Sequence, residues 1–137
     1  MNMTMDMMKD AMSTGEMPMQ GMDAAMMQEC LEALSACVQA CLMCADADAG
    51  EGMGRCAAMC ANCADVCDTM MRMMLRMRGM DREVMTSMMQ TTIAMCRACS
   101  AECMQHAEMS EHCRMCAMAC DQCAAAMEKM MGSMSMA

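Results

Sequence analysis

Aromatic residues are absent from this 137-residue chain, and leucine, isoleucine and valine together number eight: Leu31, Leu34, Leu42, Leu75, Val38, Val66, Val84 and Ile93. The usual core of rings and branched aliphatics is therefore excluded. A rule that weighs such residues against the net charge of −9 would class the chain as disordered. Basic residues are scarce too, nine against eighteen acidic ones, which argues against nucleic acid or an anionic membrane as partner. No apolar run is long enough to suggest a bilayer span. The first 22 residues lack the basic start and continuous apolar stretch of a signal peptide. A cytoplasmic location is expected, with the periplasm as the alternative if a signal has been removed. With two histidines, few serines and no phosphate-binding loop, no catalytic constellation is visible and no enzyme is expected.

What is present is sulfur: 33 methionines and 15 cysteines. Both pack well in cores, and methionine and alanine favour helices, so a folded single domain is expected, looser than average without metal. The cysteines fall into four clusters: Cys30, Cys37, Cys41, Cys44; Cys56, Cys60, Cys63, Cys67; Cys96, Cys99, Cys103; and Cys113, Cys116, Cys120, Cys123. Neighbours within a cluster are three or four residues apart, except for the seven from Cys30 to Cys37. Such spacings place side chains on one face of an α-helix. The odd count and the helical setting argue against a disulfide framework, and reduced thiols fit the cytosol.

These patterns predict an all-α protein, an antiparallel up-down four-helix bundle over residues 23–131 with a flexible Met-rich tail at 1–22 and a C-terminal tail at 132–137. Gly15, Pro18 and Gly21 argue against a helix in the first tail. The bundle helices are expected at about 23–48, 55–78, 81–106 and 110–131. Asp23, Asp81 and Ser110 are the expected N-caps, the glycines of 50–54 a turn, and Gly79 a helix stop. Short connections favour antiparallel neighbours.

Methionines extend the thiol stripes: Met26 on the first helix, Met70, Met74 and Met77 on the second, Met85 and Met89 on the third, Met109, Met127 and Met130 on the fourth. Threaded antiparallel, the stripes put thiols toward one end and the middle, and thioethers toward the other end, a candidate entry site. His106 and His112 flank the last turn at the thiol end and are candidate ligands. The arginines Arg72, Arg76, Arg78 and Arg82 form a solvated corner or receive an acidic partner.

Thiolate and thioether are soft donors that together favour Cu(I). Pairs such as Cys41 with Cys44, or Cys120 with Cys123, can turn two sulfurs toward one ion of low coordination. A cation also removes the repulsion among buried thiolates, so metal binding is expected to couple to folding and to release protons. The alternatives are a metallothionein-like zinc or cadmium buffer, built from facing C-x-x-C pairs, and a redox protein cycling thiols and methionine sulfoxide. Iron–sulfur spacing is absent.

The run His112-Cys113-Arg114-Met115-Cys116-Ala117-Met118-Ala119-Cys120-Asp121-Gln122-Cys123, with Cys56-x₃-Cys60-x₂-Cys63-x₃-Cys67 and Cys96-x₂-Cys99-x₃-Cys103, resembles the bacterial copper storage proteins, Cys-rich four-helix bundles. The resemblance covers about residues 23–131. It implies inward cysteines holding many Cu(I) ions, a role in copper storage and detoxification, a homotetramer, and exchange with a copper chaperone or exporter. Leu34, Met85, Met89 and Thr92 stand at stripe positions that are often cysteine in relatives.

Overall fold

The computed structural model describes residues 3–13 and 23–136, the last two of these as backbone only. It contains five α-helices, and no strand occurs among the described residues: α1 (Met3–Ser13), α2 (Ala24–Gly50), α3 (Gly54–Leu75), α4 (Arg82–Met104) and α5 (Glu111–Met136). Two helix starts follow from short acidic side chains. Asp23 accepts the Met26 N–H at 2.8 Å, and Asp81 accepts the Val84 N–H at 3.1 Å, each satisfying a donor that the helix itself leaves unpaired. Ser110 takes the same place before α5, its carbonyl accepting the Arg114 N–H at 3.2 Å, but its hydroxyl has no partner. The turn between α2 and α3 reverses the chain through Gly52, at φ +75°, where a side chain would be strained.

Several boundaries differ from expectation. α3 stops at Leu75, and Met77–Gly79 form a single 3₁₀ turn in which the Gly79 N–H reaches the Arg76 carbonyl at 3.0 Å. The expected flexible tail at 1–22 contains α1, whose Met8 is buried and whose Met5, Ala11 and Met12 pack partly against the core. That spacing is an apolar helix face, and the stretch MTMDMMKDAMS has no Gly or Pro to break it. Gly15, Pro18 and Gly21, on which the tail expectation rested, lie outside the described residues. At the other terminus α5 continues through the expected tail to Met136. Met127, Met130 and Met134 prolong its buried stripe.

α2 packs on α3 and α5, and α4 packs on α3 and α5, so the four long helices enclose one core; α1 lies on α2. Pairings along the helices run in opposite senses. Cys37 meets Cys120 while Cys44 meets Cys113 and Cys30 meets Ala126; likewise Cys56 meets Cys103 while Cys67 meets Cys96. One sequence expectation needs correcting. α2 is long and apolar enough to cross a membrane by length and mean hydropathy, 1.4 over its most apolar window. Cysteine, methionine and alanine raise that average. Its four cysteines and Met27 face the protein core, while its alanines lie outside that buried stripe.

Candidate metal-binding core

All fifteen cysteines are free thiols and all are buried. The stripes of the four helices interdigitate so that sulfurs from different helices alternate. One continuous path runs Cys56, Cys103, Cys60, Cys116, Cys41, Cys120, Cys37, Cys67, Cys96, with Sγ–Sγ steps between 3.5 and 3.9 Å. Along it lie quartets whose sulfurs all approach one another: Cys44–Cys60–Cys103–Cys116, Cys41–Cys99–Cys116–Cys120, Cys37–Cys41–Cys63–Cys120 and Cys37–Cys67–Cys96–Cys123. Successive quartets share corners. A sulfur on one ion is thus already beside the next.

Cys30 stands apart. Its thiol donates to the Ala126 carbonyl at 3.3 Å. Seven residues of helix, about 10 Å of rise, separate it from Cys37. The buried Leu34 fills the intervening position.

At the end near the α2–α3 turn the core becomes polar. Asp48 is fully buried and was not foreseen as a site residue, although it continues the stripe of Cys37, Cys41 and Cys44 at the next helical step. Its carboxylate accepts from Cys113 at 3.4 Å and Cys44 at 3.6 Å, and with Cys44, Cys56 and Cys113 it forms a further group of converging donors. His112 is placed where a ligand is useful: Nδ1 lies 3.3 Å from Cys44 Sγ and 3.7 Å from Cys113 Sγ, while Nε2 meets Glu51 at 2.6 Å. His106 is not brought to the thiols in this way. Its Nε2 lies 3.2 Å from Glu102, a nearly buried carboxylate that also accepts from Arg55 at 2.9 Å.

The thioether end is less open than the sequence suggests. Met70, Met74, Met85, Met89, Met127 and Met130 are all 0–1% exposed, with the hydroxyl of buried Thr92 turned to the Met88 carbonyl at 2.8 Å. They form a closed plug rather than a mouth. Met77 is nearly buried at the edge of the plug. Met26 is only half-buried, and its neighbour Met27 takes the core position three residues before Cys30. Met109 is 86% exposed because it lies in the α4–α5 connection, not on the α5 stripe.

Burial holds several of the metal-free thiols protonated, whereas hydrogen bonds from neighbouring thiols pull Cys37, Cys99 and Cys116 the other way. Burial, then the charge of Glu29, pushes Cys30 up to about 12 from 9.0; burial, then Asp48, does the same to Cys56. Cys113 is raised as well, again chiefly by burial. Unfolding frees such thiols to ionise near their ordinary value, so the unfolded chain binds fewer protons once pH exceeds about 9. The apo-protein is therefore expected to keep the contribution of Cys30 and Cys56 to stability below pH 9 and to lose it progressively up to about pH 12. Denaturant midpoints of the reduced apo-protein at pH 7, 9 and 10.5 measure this. An unchanged midpoint at 10.5 contradicts it.

The donor set suits a soft ion. With a metal–sulfur bond of about 2.3 Å, as for zinc, a trigonal site has an S–S edge of about 4.0 Å and a tetrahedral one about 3.8 Å. The closest sulfur contacts, 3.5–4.0 Å, match either edge, and within each quartet the sulfurs all lie within 4.8 Å of one another. Comparison with known proteins points the same way. The family model described as Copper storage protein matches residues 23–132. Among the curated proteins none matches. The copper storage protein Ccsp of Streptomyces lividans, loaded with 10 copper equivalents, is 36% identical with a TM-score of 0.78, covering 83% of this chain and 89% of that one. A Ccsp variant with two histidines changed to alanine is 35% identical with a TM-score of 0.78, covering 82% and 98%. The cytosolic copper storage protein of the same organism, loaded with five coppers, is 36% identical with a TM-score of 0.74, covering 79% and 93%. With its cysteines massed in one buried, corner-sharing array, the chain belongs to the copper storage protein family.

Proposed function

We propose that this protein is a non-catalytic store that sequesters many Cu(I) ions in the core of an antiparallel, up-down-up-down four-helix bundle. The ligands are the cysteines of the shared quartets, joined at the polar end by Cys44, Cys56, Cys113 and His112. The observation that carries this reading is the unbroken sulfur path from Cys56 to Cys96, with no step longer than 3.9 Å. A dry core must stay close to neutral. Each monovalent ion that displaces one thiol proton achieves this, so loading proceeds with about one proton released per ion. Divalent zinc in closed four-thiolate sites leaves excess negative charge in the same space. Thioethers also favour the softer ion.

Once inside, an ion moves by exchanging one thiolate for the next along shared corners, and no bare ion forms. Asp48 accepts hydrogen bonds from Cys44 and Cys113 while they are protonated. We read the protein as cytoplasmic, in keeping with its reduced thiols and with the Streptomyces relative described as cytosolic. Exposed Leu42, Met43, Met115 and Met118 offer apolar surface for a homotetramer, and a copper chaperone or exporter is the expected exchange partner.

The test is titration of reduced apo-protein with Cu(I) against a competing chelator, with protons counted in parallel. Uptake well beyond three ions, at about one proton each, is expected. Saturation at one to three ions, or preference for Zn(II), overturns the reading.

A further inference from the structure

The imidazole of His112 stands between two carboxylates, one at each ring nitrogen. Nε2 lies 2.6 Å from Glu51, whereas Nδ1 lies 3.6 Å from Asp48. Glu51 is half-exposed and 61 positions away in the chain, so the fold and not a local run makes this contact. The α2–α3 turn delivers it. The Glu51 and Met53 N–H groups both donate to the Asp48 carbonyl at 3.0 Å, and Gly52 between them turns the chain at φ +75°. His112 is the second residue of α5, and its Nδ1 is the atom that faces Cys44 and Cys113.

A neutral imidazole carries one ring proton, and only the nitrogen without it has a lone pair to give a metal. An ionised carboxylate accepts hydrogen bonds and donates none. The 2.6 Å contact therefore requires the proton on Nε2, since otherwise two lone pairs would face each other. Asp48, at 3.6 Å, lies beyond ordinary hydrogen-bond reach and loses the competition for that proton.

We propose that Glu51 is a positioning residue for copper: it fixes His112 in the Nε2–H tautomer and so keeps the Nδ1 lone pair aimed at the site of Cys44 and Cys113. This rests on the Cu(I)-storage reading, with His112 among the ligands. When Cu(I) binds, the Nδ1 lone pair forms the new bond and Nε2 keeps its proton, donated to Glu51. Copper stays Cu(I), and the ring neither gains nor loses a proton. The negative charge of Glu51 also makes the ring a better donor. Without Glu51, the carboxylate left beside the ring is the buried Asp48. It draws the proton to Nδ1, where the proton blocks the metal.

The experiment uses the full-length, reduced protein labelled with nitrogen-15 at histidine. In the metal-free wild type at pH 8, long-range proton–nitrogen correlation NMR is expected to find the His112 proton on Nε2. Glu51→Ala is expected to move the ring toward the Nδ1–H form while circular dichroism stays unchanged. Under chelator-buffered Cu(I), the His112 Nδ1 resonance reads occupancy of its site. Half occupancy should need on the order of tenfold more free Cu(I) in Glu51→Ala than in wild type. In a His112→Ala background, Glu51→Ala should leave the Cu(I) binding curve unchanged. A further loss there would mean that the glutamate acts other than through the imidazole, and the proposal is overturned. An Nδ1–H tautomer in the wild type, an Nδ1 resonance that ignores copper uptake, or a Glu51→Ala protein indistinguishable from wild type overturns it as well. Uptake of only one to three ions by the wild type strikes the storage reading instead, and the tautomers of the two metal-free proteins still decide what Glu51 does to His112.

Discussion

Replacing Cys120 by alanine is expected to lower copper capacity by about two ions or more, whereas Cys30→Ala should lower it by one at most. Cys120 Sγ lies 3.7 Å from Cys41 and 3.8 Å from Cys37, and it is a corner of two quartets. Removing it opens both quartets, leaving Cys41 and Cys37, themselves 3.9 Å apart, as the remaining link along the path. Among the described residues Cys30 has a backbone carbonyl as its close partner, and it lies beyond Leu34. The measurement is bound copper per protein after competition with a chelator, with circular dichroism to confirm that both variants remain helical. Equal losses at the two positions would mean that each thiol acts independently, and the corner-sharing account would fail.

Copper loading should raise the melting temperature by tens of degrees. Each site filled at a hundred times its dissociation constant stabilises the fold by about 2.7 kcal/mol if the unfolded chain does not bind. Four such ions contribute roughly 11 kcal/mol, at about 3–5 °C per kcal/mol for a chain of this size. The apo state starts low because flexible methionines and small thiols replace interlocking aliphatics, and because its core specifies rotamers poorly. Calorimetry of apo and fully loaded protein, both reduced, checks this. A rise of only a few degrees would show that the unfolded thiols hold copper almost as tightly as the folded array. The gain from burying them together would then be small.

Much of the fold was legible because its signals are local. Cysteine steps of three and four residues match the helical period, so helix and inward face follow together. Asp23 and Asp81 are recognisable caps because a short carboxylate before an apolar run has one good use, accepting an exposed amide N–H. The convergence of soft donors was readable in their residue types for the same reason. Other assignments slipped by a residue or a turn. Met26 and Met27 both lie near the stripe, and the rotation of α2 against its neighbours chooses Met27. Met109 fits the periodicity of α5 but falls in the connection before it. Asp48 was passed over because an acidic residue near a helix end usually faces water, whereas here two thiols from different helices close over it.

By itself the sequence determined that thiols line helices and that their softness selects a soft metal, because both depend on residue type and on a spacing within one turn. Only the tertiary structure decided which thiols become neighbours, that Cys30 is left out, that the thioether end is closed, and that α1 opens a separate cavity beside Met77. Those outcomes depend on the rotation and axial register of helices packed against one another. The period of a single helix carries no record of either.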